Sequence, residues 1–362
     1  MRTLEKLTIR NFKSIREQTL ALGKLNVFIG GNGAGKSNLI QSFRLLQSIA
    51  QGSLASYSLA RGVDSLLRLG RKTSRFIGFQ IEFGEESLSN GYSVTLHPND
   101  QGALVVGQEI AYFHDRARDS KPMMEIINHG SAESVLGLSK TGVASYVKHD
   151  LETYRIYHFH DTSETAGVKD SCDLEDNRVL RPQAENLAAF LFWMQQKQPD
   201  HFANVQDTLR QIAPFFEEFR LAPSRLNEGK IRLEWKENGS DAYFNAASLS
   251  DGTLRFLCLA TLLLQPELPA VVLLDEPELG LHPAAVALLA DLLAAAAVRT
   301  QVIVATQSVT LVNQFDQEAV WTVDREDHQS VFRHLSDSDL SAWLDGYALG
   351  ELWEKNVLGA RP

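Results

Sequence analysis

An α/β fold, with a mixed sheet gathered round a phosphate-binding loop, follows from three stretches of the sequence. Gly30 to Ser37 reads GGNGAGKS, a GxxxxGK[ST] motif lying between the apolar run Leu25 to Ile29 and a segment in which Leu39, Ile40, Phe43, Leu46 and Ile49 recur near helical spacing. Val271 to Leu274 is a second apolar run, and it delivers Asp275 and Glu276. Gln301 to Ala305 is a third, ending in Thr306-Gln307-Ser308. Short apolar runs closed by polar clusters mark buried strands, and open α/β sheets bind ligands at the carboxyl ends of such strands.

At 362 residues the chain has room for about two domains, or one large α/β domain with an inserted lobe. Its 44% hydrophobic content sustains a sizeable core. A net charge of −10 argues against a broadly basic nucleic-acid binder and leaves room for a local basic patch. Cys172 and Cys258 make no disulfide framework or metal cluster and fit a reducing cytoplasm. Met1 to Arg16 mixes charges with apolar residues, unlike a signal peptide. The longest apolar stretches, Leu254 to Leu264 and Val286 to Val298, are too short or too interrupted to span a bilayer. A cytoplasmic protein that meets a membrane only through a partner is expected.

In chain order, Leu4 to Asn11 alternates as a first strand with Leu7 and Ile9 on one face. Asn11-Phe12-Lys13-Ser14 then turns the chain towards a second strand, which ends in the phosphate loop. In that loop Gly30, Gly31, Gly33 and Gly35, with Asn32 and Ala34 between them, let backbone N–H groups curl round phosphate oxygens. Lys36 is placed to reach the β- and γ-phosphates, Ser37 to ligate Mg²⁺, and Asn38 opens the helical segment. Gln51 to Ser58 is polar and Gly/Ser-rich. Arg61, Arg68, Arg71, Lys72 and Arg75 surround Leu66-Leu67; they read as the solvated side of a helix and strand start, or as a contact for DNA or a partner protein. Phe76 to Phe83, Tyr92 to Leu96 and Leu104 to Phe113 read as antiparallel strands. Asn90-Gly91 and Asn99-Asp100 mark turns, and Gly102 and Gly107 mark turns or bulges. Arg116 to Lys148 shows no assignable period, and no heptad run supports a long coiled coil.

Tyr154 to His160 reads as a strand. His149, His158 and His160 lack a carboxylate partner at a ligand spacing, so packing or interface use is the expectation. Asn186 to Gln198 and Phe202 to Ile212 look helical, punctuated by Pro199, Pro214 and Pro223, and Ile231 to Trp235 with Asn238-Gly239 reads as a hairpin. Ser250 and Gly252, at the start of a helix over Leu254 to Leu264, form either an anion site or a helix cap. Asp275 is placed to hold Mg²⁺, Glu276 to act as general base, and Gln307 to orient the attacking water or sense the γ-phosphate. Pro283 opens the next helix, about Ala284 to Val298. Trp343, Leu344, Tyr347, Leu349, Leu352 and Trp353 make an apolar tail, read as two packed helices or as an effector contact.

The stretches GGNGAGKSN, LSDGT, LLDEPELGLHP and TQS, with the opening KLTIRNFKSI, resemble the ABC-type ATPase heads of the RecF, SMC and OLD group. Within it they look most like the compact stand-alone bacterial RecF-like ATPases described as predicted AAA ATPases. The resemblance covers nearly the whole chain and is strongest over Met1 to Ala50 and Ser248 to Ser308. It implies ATP and Mg²⁺ as cofactors and one discontinuous head: lobe I at 1–177, a helical subdomain and hairpin at 178–247, and lobe II at 248–362. It also implies a homodimer in which ATP is sandwiched between the phosphate loop of one copy and the signature of the other, so that Ser250 and Gly252 contact the γ-phosphate in trans. Lys13 matches a basic residue that approaches the nucleotide, His282 lies in a segment crossing the interface, and the region His158 to Asp161 stands in for the glutamine-bearing loop. Asp251 replaces a common glycine and Gln307 a common histidine, so slow turnover is expected. The implied role is an ATP-driven switch in DNA repair, chromosome maintenance or antiphage defence. An accessory ATPase controlling an effector protein without touching DNA is the alternative, and a transporter ATPase is opposed by the opening strand and the LHP segment. The resemblance adds no nuclease constellation.

Overall fold

The computed structural model describes residues 2–335, 340, 343 and 346–360. Strand β1 (Thr3–Phe12) turns at Lys13-Ser14 into β2 (Ile15–Ala21), with Asn11 and Lys13 at φ of 53° and 51°. The phosphate loop hangs from a separate strand, β3 (Leu25–Ile29), so the Asn11–Ser14 turn closes a hairpin instead of leading to the loop directly. Sequence pattern hides β2 because most of IREQTLA is solvated. Helix α1 (Lys36–Ala50) follows the loop, then α2 (Leu54–Arg61) and α3 (Val63–Leu66). The polar Gln51 to Ser58 stretch is therefore half helix. Its start is capped from afar, where the Glu133 carboxylate accepts the Leu54 and Ala55 amides at 3.0 and 2.8 Å.

Strands β4 (Ile77–Glu85), β5 (Leu88–Pro98), β6 (Leu104–Asp115) and β7 (Met123–Ser131) complete an antiparallel sheet in the order β2-β1-β4-β5-β6-β7. Asn90-Gly91 is not a turn. It lies inside β5, where a Cβ on Gly91 would overlap the Tyr112 ring. The reversal comes at Glu86, with φ of 58°. Gly107 is the extra residue where the β5–β6 pairing slips, and Asn99 turns the chain by accepting the Ala103 amide at 2.9 Å. The stretch without a period holds β7, solvated along most of its length, and helix α4 (Gly142–Glu152).

The second large sheet gathers strands from across the chain. Strand β8 (Tyr154–Tyr157) forms one edge. After the short strand β9 (Cys172–Asp173) come helices α5 (Leu187–Lys197) and α6 (Pro199–Ile212). Small ladders follow from β10 (Phe216–Phe219), β11 (Pro223–Ser224), β12 (Asn227–Ile231), β13 (Glu234–Glu237) and β14 (Tyr243–Asn245). Ile231 to Trp235 is not one strand. Ile231 belongs to β12 and pairs with Pro223 and Cys172, whereas Glu234 begins β13, which pairs with β10 and β14. Helix α7 (Asp251–Leu264), β15 (Val271–Asp275), α8 (Pro283–Arg299), β16 (Gln301–Thr306), β17 (Val320–Glu326) and β18 (Gln329–His334) complete the fold.

The order is β18-β17-β3-β16-β15-β8, all parallel except β18. Strand periodicity splits each run between two cores. Val27, Val272, Leu274, Val302 and Val304 face the helical side with α5 to α8. Phe28, Val271, Leu273, Ile303 and Ala305 face α1 and the antiparallel sheet. Near the end of the chain a helix, Leu349–Glu354, buries Leu352 and Trp353, while Trp343 and Tyr347 are exposed; Leu344 lies outside the described residues. Among the described residues no helix is a long coiled-coil arm, and none is long and apolar enough to cross a membrane.

Candidate functional site

Strand β3 drops its loop between β17 and β16, and the neighbours explain the glycines. A Cβ on Gly30 would overlap the Val323 carbonyl, and one on Gly35, at φ of 121°, would overlap the Ser330 hydroxyl. The Asn32 and Gly33 positions are open to solvent and Ala34 is buried. Lys36 is only 6% exposed; its ammonium donates to the carbonyls of Gly30 at 2.5 Å and Gly31 at 3.2 Å. Burial lowers its pKa, opposed by Glu276, Asp275 and Glu278. Asn38 donates to Ser14 Oγ at 2.7 Å, and Ser14 also bonds Ser330 at 2.6 Å, which fixes the turn carrying Lys13 beside the loop. Burial and the charge of Arg61 lower the Lys13 pKa.

Across the sheet, Ser37 Oγ donates to Asp275 Oδ1 at 3.5 Å. Burial raises the Asp275 pKa, opposed by that bond and reinforced by Glu276. His160 Nε2 donates to the Asp275 carbonyl at 2.8 Å. Glu276 sits at φ of 45°, and its carboxylate accepts from Gln307 Nε2 at 2.7 Å. Glu278 is buried; one oxygen accepts from Thr306 Oγ1 at 2.5 Å and the other has no hydrogen-bond partner, so burial pushes its pKa up. The hydroxyl and carboxylate of Ser37 and Asp275 form a hard oxygen donor set of the kind Mg²⁺ takes. Lys36 rests on carbonyls that a phosphate oxygen would replace.

The structure thus brings Lys36, Ser37, Asp275, Glu276 and Gln307 together. Ser250 does not join them: its hydroxyl accepts the Thr253 amide at 3.2 Å as the cap of α7. Asp251 turns away to Lys169 at 3.4 Å. Gly252 allows close packing, since a Cβ there would lie 2.7 Å from the Gly280 carbonyl. His282 caps α8 by accepting the Ala284 amide at 3.3 Å. His158 meets the Arg44 guanidinium through Nε2, and burial followed by Arg44 brings its pKa down to about 4. Among the described residues no group of three or more His, Cys, Asp or Glu is arranged to hold a metal. In the basic stretch Arg61 lies 4.1 Å over the Tyr57 ring and Arg71 pairs with Asp64 at 3.1 Å.

Sequence reasoning missed Arg255 and Arg325. Arg255, on α7, donates to the carbonyls of Phe159 at 2.9 Å and His160 at 3.2 Å, and to that of Leu279. Arg325, on β17, donates to the Gly33 carbonyl at 3.2 Å. Both bind backbone carbonyls far away in sequence, which leave no trace in a motif.

A strand, a glycine-rich loop and a helix, set one strand away from a parallel strand that ends in an Asp-Glu pair, define a P-loop ATPase head of the ABC, RecF and SMC type, and the chain is an ATP-hydrolysing enzyme of that class. Residues 25–313 match the family described as "AAA domain, putative AbiEii toxin, Type IV TA system", and the chain belongs to that family. No curated protein matches it. Among solved structures it is similar to an Smc head bound to the C-winged helix domain of ScpA, at 16% identity and a TM-score of 0.59 over 93% of this chain and 99% of that one. It is also similar to the Smc head domain with an extended coiled coil bound to the C-terminal domain of ScpA from Pyrococcus furiosus, at 17% identity and a TM-score of 0.55 over 95% and 99%. At such identities the likeness concerns the fold. ATPases of this class work with ATP and Mg²⁺.

Proposed function

We propose that the chain is a Mg²⁺-dependent ATPase whose ATP-driven homodimerisation acts as a switch in a DNA-related process: repair, chromosome maintenance or antiphage defence. The observation that carries the chemistry is the pair of contacts Ser37–Asp275 and Gln307–Glu276, which aims two adjacent carboxylates at two different partners. In this reading Gly30 to Asn38 wraps the phosphates, Lys36 spans the β- and γ-phosphates, and Ser37 with Asp275 holds Mg²⁺. Glu276 takes the proton of the attacking water that Gln307 orients. Lys13 approaches the nucleotide from the β1–β2 turn.

Ser250 and Gly252 serve a second copy in this reading. Support comes from the exposure of Ser250 and from its hydrogen bonds, which stay within the start of α7. Asp251, paired with Lys169, is turned out of a γ-phosphate's way. The division into 1–177, 178–247 and 248–362 and a cytoplasmic setting belong to the same reading. A second reading, control of an effector protein, is favoured by the exposed apolar residues Met123, Met124 and Ile126 on edge strand β7.

Glu276→Gln tests the switch. Hydrolysis should fall about 100-fold or more while ATP binding persists, and light scattering should show an ATP-dependent dimer. A variant that stays monomeric in saturating ATP and Mg²⁺ removes the trans role of Ser250. Lys36→Ala should abolish nucleotide binding, and unchanged turnover would overturn the phosphate-loop assignment.

A further inference from the structure

In a chain of net charge −10, the strands β11 to β14 gather four cations round one recess of about 660 Å³. Arg220, Arg225, Lys230 and Arg232 line it, with Glu234 as its one carboxylate among the described residues. Lys230 is paired with Asp173 at 3.0 Å and Arg232 with Glu234 at 2.6 Å. The other two cations are uncompensated. Arg225 forms no ion pair among the described residues, and the Arg220 guanidinium lies over the Tyr243 ring at 5.7 Å. Tyr243 is 55% exposed, so its side chain is within reach of a ligand. Ser224 and Asn227 add neutral hydrogen-bonding groups to the wall.

A recess with an excess of one charge concentrates the opposite charge. Guanidinium groups bind phosphate in a planar, bidentate way, and an exposed aromatic beside them offers a base a stacking face. We propose that this recess binds the phosphodiester backbone of a single-stranded nucleic acid, with Arg220 and Arg225 on phosphates and Tyr243 stacked on a base. A volume of about 660 Å³ suits one unstacked base with its phosphates, the unit a single strand presents. The stretch from Arg61 to Arg75, read as a solvated face or a contact for DNA or a partner protein, is a separate basic candidate in which Arg61 and Arg71 have partners. Strand β14 ends at Asn245 and α7 is capped by Ser250, so the bound strand lies one short turn from the signature.

The inference deepens the nucleic-acid part of the proposed function, and its test omits nucleotide so that the two fail separately. A fluorescent single-stranded oligonucleotide is titrated into the full chain across a salt series. The double variant Arg220→Gln, Arg225→Gln should bind about tenfold or more weakly and lower the slope of log affinity against log salt by about 1.4, the share of two phosphates on a single strand. Tyr243→Ala should weaken binding about five- to tenfold with the slope unchanged. Arg71→Gln should leave binding as in the parent chain. No binding by the parent chain, tighter binding of a duplex of equal length, equal competition by free triphosphate, or an unchanged double variant would each overturn the proposal. Should the double variant fail to fold, Arg225→Glu alone should still weaken binding and lower the slope, and its failure to do so overturns the proposal equally.

Discussion

Replacing Arg255 by methionine should loosen two segments at once. Arg255 is 7% exposed, and its guanidinium donates to Phe159 and His160, beyond the end of β8, and to Leu279, in the turn after the acidic pair. His160 in turn holds the carbonyl of Asp275. Hydrogen bonds from a charged donor contribute about 1.5–3 kcal/mol each, so three give roughly 4.5–9 kcal/mol before offsets. Removing a buried guanidinium also returns several kcal/mol of desolvation, and the methionine fills most of the volume. The net loss should be about 3 kcal/mol, or a urea midpoint lower by about 1 M at a slope near 3 kcal/mol/M. Arg255→Lys should recover less than half, because an ammonium is a point donor and cannot span three carbonyls. Turnover measured on the folded fraction separates stability from positioning. If Arg255 holds the acidic turn in place, that fraction is slow as well. A midpoint shift below about 0.3 M for Arg255→Met, or full rescue by lysine, would refute the reasoning.

The strand order puts Arg325, on β17, on the side of the loop strand away from Asp275 and Glu276, so it should meet the nucleoside end of the ligand. Arg325→Ala should weaken ADP and ATP alike by roughly three- to tenfold with kcat unchanged, as loss of uniform binding does, and a lower kcat at unchanged affinity would contradict this. His158 predicts a pH dependence. Its Nε2 must accept from Arg44, and its folded pKa of about 4 lies below the ordinary 6.5. The unfolded chain therefore takes up the proton first; the stability is full above about pH 6.5 and is lost as the pH falls towards 4. His158 is only partly buried, and solvent screening trims the loss to roughly 1–2 kcal/mol. Melting temperatures of the parent chain and His158→Gln between pH 7 and 4.5 check it: the variant's profile should be flatter, and identical profiles would count against the assignment.

Strands buried on both faces were legible because nothing interrupts their apolar run: Leu25–Ile29, Val271–Asp275 and Gln301–Thr306 all lie where the pattern puts them. Alternating strands with one apolar face, β1 and β4 to β6, were legible too, whereas strands without a clear apolar face or run were not. The β2 residues Arg16, Glu17 and Gln18 break any apolar run, β7 is exposed along most of its length, and β17 with β18 ends in a charged hairpin. Gly91 misled for a different reason. Asn-Gly signals a turn through tolerance of positive φ, but here the glycine leaves room for a cross-strand ring. In the site, the residues with a fixed spacing were readable. Arg255 reaches carbonyls 96, 95 and 24 positions away and Arg325 one 292 positions away, contacts that only the sheet order creates.

The sheet also explains why two neighbouring acids can take two roles. Asp275 ends β15 opposite Ala305, and the Glu276 amide still donates to the Ala305 carbonyl at 2.7 Å. One residue later the ladder breaks, because Glu276 lies at φ of 45°, a conformation costing a residue with a Cβ about 1–2 kcal/mol. The ladder bond and the bond from Gln307 offset that cost and keep the Glu276 carboxylate apart from the Ser37–Asp275 contact. This decides which substitution isolates the charge. Glycine at 276 would relieve the backbone and stabilise the chain for a reason unrelated to catalysis, and alanine would drop the bond to Gln307. Glutamine keeps the Cβ, the backbone strain and an oxygen for Gln307 while removing the negative charge. A fall in hydrolysis for Glu276→Gln at unchanged stability would therefore report the carboxylate as a base, whereas an equal fall in both would place the residue in the scaffold.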